Sequence, residues 1–156
     1  MLKVSSYLKV NEEFILASQF TNQVSDPDYI EGAIEIEFCE EILLGLRTWD
    51  YIDQLWSYFV NGLVEVAEGK EFKTFLPDQP VQITFKPDIA SRRVTVEEQS
   101  TEYHNISINY VEFMGTMITE GKAFFSKMSE LLPEEQFYKD EYTRLLALEQ
   151  KFTHLL

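Results

Sequence analysis

The chain has 156 residues and a mass of 18.3 kDa, and 45% of its residues are hydrophobic. This length is typical of one domain with an ordinary core, so we predict a single domain spanning residues 1–156. Thirteen Lys and Arg stand against twenty-seven Asp and Glu, which gives a formal net charge of −14. Such a charge repels phosphate backbones and anionic lipid, so it argues against nucleic-acid and membrane partners. It would speed association with a basic protein partner, and the competing interpretation is that it serves solubility alone.

Cysteine content and hydropathy bear on the compartment. The single cysteine, Cys39, excludes an internal disulfide and is typical of proteins in a reducing environment. The first residues lack the continuous apolar run of a signal peptide, and no window holds the roughly eighteen apolar residues that span a bilayer. We therefore expect a cytoplasmic protein.

Strand patterns dominate the N-terminal third. Partial alternation over residues 2–10 predicts a strand, and the turn-forming residues of 21–28 predict a loop. The clearest alternation covers residues 29–38, where one face would carry Ile30, Gly32, Ile34, Ile36 and Phe38. The opposite face would carry Glu31, Ala33, Glu35 and Glu37. We predict a half-buried strand with a wet acidic face, joined to a second strand over 41–46 by a turn at Cys39-Glu40.

The stretch from Arg47 to Ala67 predicts a central helix around which the rest of the chain is organised. Apolar residues recur in it at steps of three and four: Ile52, Leu55, Trp56, Phe59, Leu63 and Val66. We expect Thr48 to cap its start and Gly69 to end it in a left-handed turn. Trp49 and Trp56 require a sheet to cover them.

Strands and then helices follow the central helix. Short alternating runs predict strands over 72–75, 81–85, 94–96 and 104–108. An apolar stripe from Tyr110 to Leu131 predicts a long helix, which Pro133 ends, and a shorter amphipathic helix follows with Phe152 and Leu155 extending it. The order indicates an α+β fold: a mostly antiparallel sheet packed on a central helix, with two C-terminal helices.

The sequence offers no convincing catalytic set. Cys39 is expected to be a small buried residue at a strand end, and nothing places either imidazole, His104 or His154, beside it. Neither histidine has a second ligand at a metal-binding spacing, and glycine-rich phosphate loops are absent. We predict a protein that is not an enzyme, with no catalytic, metal or cofactor site.

An acidic set stands out from this background. Glu31, Glu35 and Glu37 share one strand face, and Asp50 and Asp53 follow closely. Rigid carboxylates suit recognition of Arg and Lys because little side-chain entropy is lost on binding. We predict that these five residues bind a partner. The competing interpretation is the ordinary solvated face of a half-buried strand.

The block from Asp28 to Phe75 resembles the WapI-type immunity proteins of bacterial contact-dependent polymorphic toxin systems. The residues that carry the resemblance are Asp28-Tyr29-x-x-Gly32-x-Ile34-x-Ile36, Leu44 to Leu46, Leu55, Phe59, Leu63, Gly69 and Phe75. Val81 to Phe85 and Arg93 to Val96 fit the same order of elements. The resemblance implies an inhibitor that binds a toxin domain, often a basic nuclease, without cofactor or turnover.

Two other functions remain open at this stage. One is a non-catalytic structural or regulatory domain that forms a homodimer through an exposed apolar stripe with Tyr138 and Tyr142. The other is a small enzyme or ligand carrier with a pocket beside Trp49 or Trp56, lined by Met and Phe residues of 113–128.

Overall fold

The computed structural model describes residues 1–154, together with the side chains of residues 1–153. Within that part of the chain, nine strands and three α-helices follow one another in an α+β arrangement, as predicted. The elements are β1 (Leu2–Val10), β2 (Glu13–Leu16), β3 (Glu31–Phe38), β4 (Glu41–Leu44), β5 (Asp50–Tyr51), α1 (Ile52–Ala67), β6 (Phe72–Phe75), β7 (Gln82–Asp88), β8 (Arg93–Gln99), β9 (Tyr103–Asn109), α2 (Tyr110–Leu131) and α3 (Gln136–His154).

Two antiparallel sheets replace the one sheet that the sequence indicates. The first has the order β2-β1-β3-β4, with β5 pairing to β3, and the second has the order β6-β7-β8-β9. The physical reason is the position of α1, which divides the chain so that the strands on each side of it pair among themselves. The sheets contact each other where β4 meets β8 and β9.

The β3 strand has the two faces that its sequence predicts, except that Ala33, placed by the sequence on the wet face, is only 1% exposed. Gly32, Ile34 and Ile36 are buried, whereas the glutamates that alternate with them are half-buried. Cys39 and Glu40 form the turn to β4 with positive φ angles of 51° and 69°, as tight two-residue hairpins require. Cys39 is exposed in this turn, so the expectation of a buried cysteine is wrong.

The central helix starts later than the sequence indicates. It begins at Ile52, because Leu46–Thr48 forms a separate 3-10 turn and the next residues pair with β3. Thr48 therefore does not cap α1, and its hydroxyl instead donates to the carbonyl of Gly45 at 2.9 Å. The predicted end is confirmed, since Gly69 has a φ of +78° and its amide donates to the Val66 carbonyl at 2.9 Å.

Helix α1 is the centre of the core. Trp56 has no exposed surface, and its indole Nε1 donates to the buried hydroxyl of Ser6 on β1 at 3.0 Å. The Trp56 ring contacts Phe59 on the same helix and Phe124 on α2, with centroids 6.1 and 6.3 Å apart. Phe59 in turn contacts Phe85 on β7 at 5.3 Å. One aromatic cluster thus joins both sheets to α1 and α2.

The C-terminal helices cover the remaining side of α1. The apolar stripe of α2 is buried as predicted, which makes its Met and Phe residues core rather than a ligand pocket: Phe113, Met114, Met117, Ile118, Phe124, Phe125 and Met128. Pro133 lies in the turn before α3, which packs along α2 and contacts α1. Leu155 lies outside the described residues. No helix within the described part is long and apolar enough to cross a membrane.

The close approach of β1, β3 and α1 at Gly32 gives a first prediction. A Cβ on Gly32 would overlap the Tyr7 carbonyl oxygen and lie 2.9 Å from Ile52 Cγ2. Because the Tyr7 oxygen belongs to a strand ladder and cannot move freely, we expect Gly32→Ala to lower the free energy of unfolding by about 3 kcal/mol. Urea denaturation measures this loss.

Gly115 on α2 provides the matched control. A Cβ there has no neighbouring atom within 4 Å, so Gly115→Ala should stabilise the helix by about 1 kcal/mol through lower backbone entropy in the unfolded chain. Equal stability of the two variants would contradict the described packing around Gly32.

Candidate functional site

Among the described residues, His104 is paired with a carboxylate and Cys39 lies in the exposed turn between β3 and β4. His104 is exposed on β9, and its Nε2 lies 3.1 Å from a carboxylate oxygen of Glu102. The side chain of His154 lies outside the described residues. Among the residues that are described, no group of three or more His, Cys, Asp and Glu side chains could hold a metal ion.

The outer face of β3 is acidic but contains basic neighbours. Glu31, Glu35 and Glu37 are half-buried on this face, and the pairing with β1 places Lys3 opposite Glu37 and Ser5 opposite Glu35. Burial, together with the charges of Glu35 and Glu37, raises the pKa of the Tyr7 hydroxyl on the same face. The predicted stripe therefore exists as a half-exposed strip of carboxylates, with a lysine on β1 beside Glu37.

Asp50 does not belong to the surface set, and its prediction as a partner-binding residue is wrong. Asp50 is only 3% exposed. The carboxylate accepts hydrogen bonds from the amides of Tyr51 at 2.7 Å and Asp78 at 2.9 Å. Asp50 therefore fastens the loop after β6 to the strand that leads into α1.

Asp53 is half-buried and is already hydrogen-bonded within the protein, and its predicted role in partner binding stays a prediction. Its carboxylate accepts hydrogen bonds from the Tyr138 hydroxyl at 3.0 Å and the Gln54 amide at 2.9 Å. Eight residues further along the same face of α1, Asn61 accepts from the Arg144 guanidinium at 2.7 Å. The polar face of α1 is thus the docking surface for α3.

The pKa values at this contact reflect its burial. Removal from water raises the pKa of the Asp53 carboxyl, and the hydrogen bonds from Tyr138 and Gln54 oppose that rise. Burial and the neighbouring Asp53 carboxylate raise the pKa of the Tyr138 hydroxyl. Tyr138 therefore stays protonated and remains a hydrogen-bond donor to Asp53.

A concave site adjoins the acidic face at its Glu31 end. We call it the tyrosine cleft, an open cavity of about 350 Å³ lined by Lys9, Ser25, Asp26, Tyr29, Glu31 and Tyr51. The rings of Tyr29 and Tyr51 lie 5.6 Å apart between centroids, with their planes inclined by 48°. Tyr29 is 58% exposed, and the Glu31 side chain is 40% exposed. Both groups are accessible to a partner.

Carboxylate charges act on the Tyr51 hydroxyl. Its pKa is raised by burial first, and then by the charges of Asp78, Glu31 and Asp50. Only Lys9 among the residues lining the cleft carries a positive charge. The local potential is therefore negative, which favours a cationic group at this position.

Lys9 shows how this part of the protein holds a cation. Its Nζ lies 4.4 Å from the ring centroid of Trp49 and 4.0 Å from a carboxylate oxygen of Glu31. The Lys9 side chain is only 11% exposed, so its ammonium is held beneath the surface between an aromatic face and a carboxylate. Trp49 is half-buried in this contact, outside the helix on which the sequence places it.

Sequence reasoning finds Glu31 but misses the tyrosines beside it. Tyr29 and Tyr51 are separated by 22 positions, and only the pairing of Glu31 with Tyr51 between β3 and β5 brings them together. The acidic run Asp26 to Glu31, which contains Tyr29, is the one local signal for the cleft. The two-residue β5 strand is too short for a periodic pattern to identify.

The surfaces required by the alternative functions are largely buried. Tyr138 is 2% exposed and Tyr142 packs against the core, so these two tyrosines do not form the exposed apolar stripe that the sequence predicts. Homodimer formation stays a prediction. Trp56 is fully buried, with its ring against Phe59 of α1 and Phe124 of α2. A mainly apolar cavity of about 340 Å³ lies elsewhere, between the end of α1, the β7–β8 turn and Tyr110.

The comparisons with known proteins give no relationship. No protein-family model matches the chain, and no curated protein or solved structure matches it. The resemblance to WapI-type immunity proteins therefore stays a prediction.

The Asp53–Tyr138 contact gives a pH-dependent prediction. The folded state binds the Asp53 proton more tightly than the unfolded chain, so stability falls as pH rises from the ordinary aspartate pKa through the raised one. Tyr138→Phe removes the opposing hydrogen bond, and we expect a loss of about 2 kcal/mol at pH 7. The loss should shrink near pH 4, where Asp53 binds its proton, as measured by urea denaturation at both values.

Tyr142→Phe is the control for this experiment. Tyr142 lies on the same helix, and its hydroxyl donates no hydrogen bond to a described residue. Its substitution should change stability little at either pH. A Tyr138→Phe loss that is the same at pH 7 and pH 4 would show that the hydroxyl does not act through the Asp53 charge.

Proposed function

We propose that this protein is an immunity-type inhibitor that neutralises a basic toxin domain, in the manner that its resemblance to WapI-type proteins implies. It acts by binding alone, without a cofactor and without turnover. The observation that carries the proposal is the acidic face of β3, which continues into the tyrosine cleft through Glu31. The single exposed cysteine is in keeping with action in a reducing cytoplasm.

Electrostatics explain why such a face would suit an inhibitor. A nuclease must present a positive surface to hold nucleic acid. A partner of net charge −14 is attracted to that surface over several ångströms, which speeds encounter and competes with the nucleic acid. Glu35 and Glu37 are fixed on a paired strand, so little conformational entropy is lost when basic side chains bind them.

Charge reversal on β3 tests whether its acidic face binds the toxin domain. We expect Glu35→Lys combined with Glu37→Lys to slow association with the toxin domain encoded by the adjacent gene by at least about tenfold at low salt. The reason is that both substitutions place positive charge in the proposed interface. Stopped-flow or surface-plasmon measurements at 50 and 500 mM NaCl give the rates, and the difference should shrink at high salt.

The control carries the same change of net charge at another place. Glu134 and Glu135 are exposed in the turn between α2 and α3, and reversing both should slow association much less than reversal on β3. Equal slowing by the two double variants would place the partner elsewhere. The absence of a toxin gene beside this one, or binding that salt does not weaken, would contradict the proposed function itself.

A further inference from the structure

We propose that the tyrosine cleft is a receptor site for one arginine side chain of the basic partner, with the guanidinium lying against Tyr29 and Tyr51 and paired with the Glu31 carboxylate. The inference rests on the proposed function and deepens it by naming the group that the partner contributes. The carboxylates of Glu35 and Glu37 lie further along β3 and are not needed for this site.

The shape of the cleft matches an extended side chain that ends in a flat cation. Its volume of about 350 Å³ exceeds what a single side chain occupies, and its opening is lined by the exposed ring of Tyr29. The two rings are inclined by 48° rather than stacked face to face. A planar group can therefore lie against one ring face while its edge points to the other tyrosine.

The charges in and around the cleft favour a cationic occupant. Asp26 and Glu31 line it, and Asp78 is held nearby because its amide binds the carboxylate of Asp50, the residue before Tyr51. Lys9 opposes them, but its ammonium is directed over Trp49 and lies 4.0 Å from Glu31. A separation of 4.0 Å is beyond hydrogen-bond length, so the Glu31 carboxylate keeps acceptor capacity for a closer partner.

Arginine fits these contacts better than lysine does. A guanidinium is planar, stacks on aromatic rings and donates two parallel hydrogen bonds to one carboxylate. It is also less strongly hydrated than an ammonium, so entry into a cleft with aromatic walls costs less. The Lys9 ammonium, by contrast, reaches its position from within the protein on a side chain that is 11% exposed.

Small capped amino acids test the cleft without the toxin. We expect Nα-acetyl-argininamide to shift the aromatic NMR signals of Tyr29 and Tyr51 in a saturable titration of the full chain. Nα-acetyl-lysinamide should bind at least about threefold more weakly, because it lacks the planar donor edge. Nα-acetyl-citrullinamide has nearly the same shape without the charge, and it should leave both signals unchanged.

Substitutions in the cleft test the same binding from the side of the protein. Glu31→Gln and Tyr29→Ala should each weaken binding of the arginine compound by about tenfold, and both residues are exposed enough that the fold is retained. Tyr103→Ala is the matched control. Tyr103 is a 50% exposed tyrosine on the other sheet whose hydroxyl donates to the Glu97 carboxylate, and no other ring among the described side chains pairs with it. Its loss should leave binding unchanged.

The outcomes separate this inference from the proposed function. Shifts that are equal for the arginine and citrulline compounds, or that Tyr29→Ala leaves intact, overturn the arginine site. Equal affinity for the arginine and lysine compounds overturns it as well. If the arginine site is found but charge reversal at Glu35 and Glu37 leaves toxin association unchanged, the proposed function fails while the cleft stands. If charge reversal slows toxin association but the arginine compound does not bind the cleft, the arginine site fails while the proposed function stands.

Discussion

The structure depends on the burial of α1, a helix with few solvent-exposed residues. Eight residues of α1 are buried, among them Trp56, Phe59 and Leu63 with no exposed surface at all. A helix of this kind is stable only when other elements surround it. The two sheets and α2 provide apolar cover, and the single hydrogen bond from Trp56 to Ser6 satisfies the indole donor that burial would otherwise leave without a partner.

Two of the acidic residues near α1, Asp50 and Asp53, form hydrogen bonds that hold other elements against this helix. Helix α3 packs on the polar side of α1, where it donates hydrogen bonds to Asp53 and Asn61 and adds its own buried apolar residues Leu145 and Leu148 to the core. Asp50 is used similarly at the entry to the helix. Asp50 and Asp53 therefore stabilise the fold, whereas Glu31, Glu35 and Glu37 lie on the far side of the first sheet.

The division between inner and outer faces also positions the proposed site. Because Gly32 lets α1 and β1 approach β3 closely on the buried side, the outer side of β3 is left to Glu31, Glu35 and Glu37. The β5 strand then ends beside Glu31 and places Tyr51 against Tyr29. A feature of packing in the core thus sets the spacing of aromatic and acidic groups on the surface.

Local sequence pattern is enough to identify the alternation of β3, the apolar stripes of α1 and α2, and the glycine that ends the central helix. These follow from local geometry, since the period of apolar residues reports which side of an element is buried. Tertiary contacts set the split into two sheets, the start of α1, the burial of Asp50, the hydrogen bond of Asp53 to Tyr138, and the meeting of Tyr29 with Tyr51. Each depends on pairing or packing between residues distant in the chain, such as Asp53 with Tyr138, and no local period encodes a contact across 85 positions.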